Sequence, residues 1–507
     1  MARFDPAPVL REISRLRDAL LAADYTVDPV SARLGPVAAA ALARAQTTPA
    51  QRELAGDGSP LATLIRLWPL QGEVARADAS LALPGLLDVL AEAGIVQVSG
   101  EVVRARVDIR PYGDEDHDWW IVCDLLHSMD GRVDPVPADH VPGVGGASTS
   151  LAQLTVRAPV ARALDLGTGC GVQALHLATH ADAVVGTDIN GRALGMARIA
   201  IALAGLAGRI EVREGDFVDP VAGQRFDLIV ANPPFVVSPD SFSQRLAYRD
   251  AGMPGDSLGP RLLATLPGLL APGGTAQLLA NWEHRAGQDW QQRVADWVAP
   301  LRDAGADVWV LQREVLDPAA YAETWLRDAG HHRRPDYRDR YRTWLDDFAS
   351  RGVTGIGFGW VSTRLGGAAP GRLLVEEHAA PVAQPLGPAV AAWFARTRWL
   401  AGPGSSDAGL MGARLVGAAG LDEERYAEPG ASDPRAILLR QHTGLLRAGS
   451  VDTATAGLVG ACDGELAVGV IIDALARLLD RPEAQVRDEL LPRVRRLVED
   501  GYLAPAP

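Results

Sequence analysis

Two short groups of residues in this chain can do chemistry together. The first is Asp165, Gly167, Thr168, Gly169 and Gly171 in the run Asp-Leu-Gly-Thr-Gly-Cys-Gly; the second, roughly sixty residues on, is Asn232, Pro233, Pro234 and Phe235. Glycines at 167, 169 and 171 let a backbone turn tightly and approach a ligand that any Cβ would exclude, while Asp165 closes the strand before them. Such a turn on its own can equally hold a pyrophosphate. The residues after it narrow the ligand to a nucleoside. Asp188 ends a second apolar run, Ala183 to Asp188, and its carboxylate can accept both ribose hydroxyls. A third run, Ile210 to Arg213, ends near Asp216 and Phe217, where a carboxylate can take an adenine amino group and a ring can cover the base.

These side chains need a particular scaffold. Ala161 to Leu166 is predicted as a strand and Val172 to Ala178, with apolar residues at helical spacing, as a helix, so the glycines sit on a strand-turn-helix corner. Phe226 to Ala231 is a further apolar strand that runs directly into Asn232. Alone, Asn-Pro-Pro-Phe is an ordinary proline turn after a strand. Its meaning comes from the glycine turn and the strand-end carboxylates upstream.

With those residues in place, the region resembles the core of class I S-adenosylmethionine-dependent methyltransferases, and the Asn-Pro-Pro-Phe turn resembles that of members acting on a planar nitrogen. The resemblance implies S-adenosylmethionine as cofactor, with Asp165, Gly167, Thr168, Gly169, Gly171, Asp188, Asp216, Phe217 and Asn232 around it. It implies catalysis by Asn232, Pro233, Pro234 and Phe235. An amide or exocyclic amino nitrogen is a poor nucleophile because its lone pair is delocalised. The Asn232 side-chain oxygen and the Pro233 carbonyl can accept its two N–H groups, Phe235 can stack on the planar group, and the prolines hold the acceptors rigid. The order of segments after Phe235 is similar to HemK-type glutamine methyltransferases of the eukaryotic and archaeal branch, from about Gly146 to Asn281. Two features depart from it. Phe235 stands where that branch usually has tyrosine, phenylalanine being frequent in the related small-domain ribosomal-RNA base methyltransferases, and Ala200-Ile-Ala202 lacks an asparagine common to both groups. In related enzymes a loop like Val141 to Gly146 lies over the methionine end of the cofactor.

Size and composition set bounds. A chain of 507 residues is too long for one core and suggests two to four domains. Hydrophobic content of 48% with 22% charged residues is that of a globular protein. No apolar run is long enough to span a bilayer and no leader pattern opens the chain, so a cytoplasmic location is expected, without membrane association. Cys123, Cys170 and Cys462 lie far apart, and neither they nor His331-His332 have metal-ligand spacing, so no metal is expected; Cys170 is read as a small filler residue. All 49 basic residues are arginine, with no lysine, which excludes a Walker-type phosphate loop and Schiff-base catalysis. A net charge of −14 argues against broad nucleic-acid binding, though not against a local basic groove.

The expected architecture is α/β: a Rossmann-like, seven-stranded methyltransferase core over residues 111–400, flanked by smaller modules. Residues 1–110 are predicted as helices followed by a β-hairpin, a winged-helix-like order. Residues 401–507 are predicted as a Gly/Ser/Asp-rich linker, Gly402 to Gly409, then a helical or winged-helix-like module with helices Thr453 to Cys462, Val468 to Leu479 and Pro482 to Asp500. Trp119 and Trp120 are read as sealing a domain interface rather than lining a cofactor entrance. An insertion near 331–350 concentrates Arg333, Arg334, Arg338, Arg340 and Arg342 with Tyr337, Tyr341 and Trp344, a mixture able to grip phosphates and stack bases. Asp336, Asp339, Asp346 and Asp347 nearly balance it, which favours a solvated helix with internal ion pairs. The favoured substrate is a glutamine side-chain amide of a protein or peptide; the alternative is an exocyclic nitrogen of RNA, and of DNA less readily. A purely binding function is disfavoured by the intact Asn-Pro-Pro-Phe turn.

Overall fold

The computed structural model describes residues 4–134, 136–239, 246–250, 252–431 and 433–506; Met1 to Arg3, and Ala251 in the loop after the Asn-Pro-Pro-Phe turn, lie outside them. The chain forms two compact units, one of Met1–Ala152, Ala158–Pro300 and Glu314–Val361, the other of Gln153–Arg157, Leu301–Arg313 and Ser362–Pro507.

The first unit opens with helices. They are Ala7–Arg11, Ile13–Ala22 and Val27–Leu42, the last kinking where Gly35 takes φ 70° ahead of Pro36. Helix Pro60–Leu67, strand Glu73–Ala75, helices Arg76–Ala82 and Leu87–Glu92 and the hairpin Val96–Ser99 with Val102–Ala105 come next, the three strands forming one antiparallel sheet. This last strand ends at Ala105, and the next begins at Val107. A second hairpin, Val107–Gly113 with Asp118–Asp124, then carries Trp119 and Trp120, both buried. Trp120 donates its indole N–H to the Tyr25 carbonyl at 2.7 Å, and Trp119 packs on Tyr112, His117 and His176. These rings fill the interior of the unit.

The core strands are β1 (Val160–Leu166), β2 (Ala181–Asp188), β3 (Ile210–Glu214), β4 (Phe226–Ala231), β5 (Leu270–Arg285), β6 (Ala306–Leu316), β7 (Val353–Leu365) and β8 (Leu373–Glu377). Seven were expected and the described residues form eight: β3-β2-β1-β4-β5-β7 in the first unit and the parallel pair β6-β8 in the second. Successive pairs from β3 to β5 are parallel. Near-continuous burial along β4 explains its unbroken apolar run, since a central parallel strand is covered on both faces. The Pro272-Gly-Gly274 turn is a bulge inside β5, where the register against β4 shifts and Gly273 takes φ 81°. The helices that flank or buttress the carboxyl ends of these strands are α1 (Gly146–Leu154), α2 (Val172–Leu177), α3 (Gly191–Leu203), α4 (Leu258–Leu269), α5 (Pro318–Asp328) and α6 (Tyr337–Ser350).

The insertion near 331–350 is a short 3-10 turn, His331–Arg333, and α6. Arg340 pairs with Asp336 at 2.7 Å, Arg342 with Asp339 at 3.2 Å and Arg351 with Asp347 at 2.6 Å, the internal pairing its balanced charges suggest. Its apolar face is occupied too: Trp344 and Phe348 are buried against Tyr321, Val236 and Val237.

In the second unit the three expected helices are Thr453–Gly460, Val468–Leu478 and Glu483–Glu499. Leu458, Ile471, Ile472, Leu490 and Val494 form its core with Leu415 and Leu503. Gly402 to Gly409 carries a turn and the start of helix Asp407–Gly412, capped by the Ser406 hydroxyl accepting from the Gly409 N–H at 3.1 Å. Two small three-stranded sheets complete the unit, Arg414–Gly417 with Asp463–Ala467 and Leu503–Pro505, and Leu421–Tyr426 with Ala436–Gln441 and Ala448–Val451.

Candidate active site

From β1 the chain winds outward to β2 and β3, then returns to β4 on the other side of β1 and proceeds to β5. The crevice above the carboxyl ends of β1 and β4 is therefore a topological switch point, where open α/β sheets bind ligands. The register places its loops at one level: Leu166 faces Ala231 on one side and Thr187 on the other, and Asp188 faces Glu214. The glycine turn, Asp188, Asp216–Phe217 and Asn232 all leave the sheet together. A cavity of about 390 Å³ opens there.

Gly167, Thr168, Gly169, Asp188, Asp216, Phe217, Asn232, Pro233 and Pro234 line this cavity. Gly167, Gly169 and Gly171 take φ 78°, 53° and 88°. A Cβ on Gly169 would meet nothing within 4 Å, so the turn is a cradle that a side chain would fill. Gly171 serves packing instead. A Cβ there would come within 3.2 Å of Ala197 Cβ on α3, so this glycine permits close helix approach and does not line the cavity.

Asp165 is also beneath the cavity. Fully buried, it accepts from the Thr168 hydroxyl at 2.6 Å and the Ala174 N–H at 3.0 Å, tying the turn to the start of α2; its other oxygen has no partner among the described residues. Burial pushes its carboxyl up to about 7, against the pull of those two hydrogen bonds. Asp188 reaches the cavity, where its two oxygens accept from the Gly169 and Asn190 N–H groups at 2.8 Å each. Burial raises its pKa, those backbone N–H groups opposing the shift.

The Asn-Pro-Pro-Phe turn is held from behind by residues distant in sequence. Tyr321 on α5 accepts from the Val237 N–H at 2.9 Å and the Asn281 amide at 3.0 Å, and its ring packs on Trp325, Trp344, Phe348 and Phe358. Phe235 does not line the large cavity. Its ring stands edge-on to Trp325 at 6.5 Å and borders a small apolar space behind Pro233 and Pro234. Within the turn the Phe235 N–H donates to the Pro233 carbonyl at 2.7 Å, which leaves that oxygen one further lone pair.

Several lining residues carried no signal in the sequence. Asp250, buried, forms a bridge with Phe235 and has one carboxylate oxygen without a partner among the described residues; Arg261 lies over the Phe217 ring at 4.9 Å; Asn190 caps α3 and donates to the Asp139 carbonyl; His140 and Tyr248 meet edge to face at 5.7 Å. Of the Val141–Gly146 loop, Val141, Pro142 and Gly143 line the cavity, and Ser148 comes after them, its carbonyl accepting from the Gln173 amide.

The residues fit a nucleoside-bearing cofactor. An open glycine cradle, a strand-end carboxylate, and a second carboxylate beside an aromatic ring are the groups that a ribose and a flat base would use. No group of three or more His, Cys, Asp or Glu able to hold a metal occurs among the described residues. Burial pushes the Cys170 thiol up to about 12, which disfavours the thiolate. Among the described residues no helix is long and apolar enough to cross a membrane.

The fold is Rossmann-like α/β, with a mostly parallel sheet. Residues 144–248 match the family described as methyltransferase small domain. Residues 22–106 and 391–505 match two families described only as domains of unknown function. The chain is 36% identical over 141 residues to a release factor glutamine methyltransferase of Moorella thermoacetica, covering 26% of this chain and 48% of that one. It is 34% identical over 122 residues to ribosomal RNA small subunit methyltransferase C of Alcanivorax borkumensis, covering 24% and 33%. It is 39% identical over 118 residues to a tRNA1(Val) (adenine(37)-N6)-methyltransferase of Bacteroides thetaiotaomicron, covering 22% and 49%. The chain thus spans half or less of the length of these relatives. A solved methyltransferase from Thiobacillus denitrificans in complex with S-adenosyl-L-homocysteine is 19% identical, covering 44% of this chain and 92% of that one, with a TM-score of 0.25.

Proposed function

We propose that this protein transfers a methyl group from S-adenosylmethionine to a planar nitrogen, with the side-chain amide of a protein glutamine as the favoured acceptor. The observation that carries this reading is that Asn232, Pro233 and Pro234 line the same cavity as the glycine cradle and Asp188. Gly167 and Gly169 admit the cofactor, Asp188 takes the ribose hydroxyls, and Asp216 and Phe217 take the adenine. When bound, the cofactor supplies an electrophilic methyl group on a sulfonium. The Asn232 oxygen and the free lone pair of the Pro233 carbonyl accept the two N–H groups of the target, turning the nitrogen lone pair towards the methyl, and the proton displaced on transfer passes to solvent. Proline φ angles and the Tyr321 bond behind Val237 keep these acceptors fixed, so little reorganisation remains.

An exocyclic base nitrogen of RNA presents the same NH2 geometry, and the matches to both protein and RNA methyltransferases keep this second reading open. Labelled methyl transfer into a lysate lacking this protein separates the two: protease-sensitive label supports the amide, ribonuclease-sensitive label the base nitrogen, and no transfer counts against both. Asp188→Ala is expected to weaken S-adenosylmethionine binding by roughly 1–3 kcal/mol, through loss of a charged acceptor. Calorimetric titration reads this directly, and an unchanged affinity would remove Asp188 from the ribose site.

A further inference from the structure

The second unit holds a cavity of about 1040 Å³, separate from the site described above. One wall is a single stretch of chain, Arg447 to Thr453, every residue of which lines it. Its central part, strand Ala448–Val451, is the edge of the sheet containing Leu421–Tyr426 and Ala436–Gln441 and, among the described residues, pairs only with Ala436–Gln441.

The register tells which backbone groups are engaged. Gln441 donates its N–H to the Arg447 carbonyl at 2.9 Å, and Ala448 and Ser450 stand opposite Arg440 and Leu438. In an antiparallel ladder, hydrogen-bonded and non-hydrogen-bonded pairs alternate, so Arg447, Gly449 and Val451 direct their groups to the neighbouring strand while Ala448 and Ser450 direct theirs away from it. Among the described residues the outward N–H and C=O of Ala448 and Ser450 have no partner. Exposed edges are usually blunted by charge, proline or a bulge. The stretch Ala-Gly-Ser-Val has none of these, and all four residues line the cavity.

The charges in the cavity select between partners. Arg447 is held by Glu376 at 2.7 Å, Arg496 by Asp500 at 2.8 Å, and Arg493 by Asp452. Arg435 is exposed, with no carboxylate within ion-pair distance among the described residues. One uncompensated guanidinium suits one carboxylate; a phosphate backbone needs several.

We propose that the edge strand Ala448–Val451 binds an extended peptide segment of a protein partner as an added β-strand, with Arg435 taking an acidic side chain of that segment. Main-chain pairing with Ala448 and Ser450 supplies the affinity and the arginine the preference, the usual division in strand addition. Docking at this edge is independent of the methyl-transfer reading.

The test uses the full chain and a capped octapeptide alternating threonine and glutamate, followed by amide deuterium exchange and binding titration. Protection confined to residues 447–453 is expected. N-methylating alternate backbone nitrogens of the peptide in the frame facing the strand is expected to weaken binding roughly tenfold, and methylation in the other frame to leave it unchanged, because only one frame's N–H groups pair. Ser450→Pro removes an outward N–H without touching the existing ladder and is expected to weaken binding similarly, while Arg435→Glu reverses the preference towards a threonine–arginine peptide. No protection at 447–453, equal binding by both methylated frames, or protection of this stretch by a uridine octanucleotide in place of the peptide would each overturn the proposal.

Discussion

Asn232→Ala is expected to lower methyl-transfer turnover on the order of 10²- to 10³-fold, the loss seen when one preorganised polar group is removed from a reacting centre. The dissociation constant for S-adenosylmethionine should stay within about twofold, because this side chain is assigned to the acceptor nitrogen and not to the nucleoside. Equilibrium binding and single-turnover transfer measured on the same preparation check both halves. The position of the turn and the way it is held both lead to this expectation. Asn232, Pro233 and Pro234 line the cavity at the end of β4, one strand from the glycine cradle, and Tyr321, Trp325 and Trp344 pack behind the chain beyond them. Removing one amide leaves that scaffold intact, so lost turnover would report lost alignment of the target. If affinity and turnover fell together, Asn232 would belong to the cofactor site instead.

The parts of this site that were legible in the sequence are those made by local backbone geometry. Three glycines on alternate positions after a strand, a carboxylate ending the next strand, and two prolines after a third each constrain the chain within a few residues, so their loops fall where the pattern places them. Tyr321 was invisible because its partner Val237 is 84 residues away and nothing local marks a tyrosine on a helix as a buttress. Asp250 and Arg261 were missed for the same reason. In the second unit the helices showed their spacing, but Leu421–Tyr426, with sequence Leu-Asp-Glu-Glu-Arg-Tyr, is too short and too polar to be read as a strand before its partner is known. Asp165 marks another limit: a strand-end aspartate reads alike whether its side chain turns up to a ligand or folds back onto the next helix.

That distinction makes Asp165 a matter of stability, and pH exposes it. Asp165→Ala leaves the Thr168 hydroxyl and the Ala174 N–H without their acceptor in a buried place and should destabilise the first unit by roughly 2–6 kcal/mol, the sum of two such losses. Asp165→Asn keeps an acceptor oxygen and removes the charge. In the parent, burial raises the carboxyl from the ordinary 3.8 to about 7, so the protonated form is the one the fold favours. The sign is set by that order. Below the unfolded value both states are protonated and no penalty exists. As pH rises from there the unfolded chain gives up its proton first, and stability is lost until the buried charge itself forms at the folded value. The full loss is on the order of 4 kcal/mol, from the difference between the two values at about 1.4 kcal/mol per unit. Melting temperatures of the parent and Asp165→Asn, compared from pH 4 to above pH 7, should therefore diverge in favour of the asparagine variant as pH rises. Asp124 is held down to about 2 by its bonds to His140, Arg192 and Val141 and keeps its charge across this window in both proteins, so it cancels from the comparison. A constant difference across the range would mean that Asp165 is ionised throughout, and the two hydrogen bonds would then outweigh burial. A divergence of the expected sign would assign the glycine turn a brace that works best when uncharged, leaving Asp188 as the carboxylate that meets the ligand.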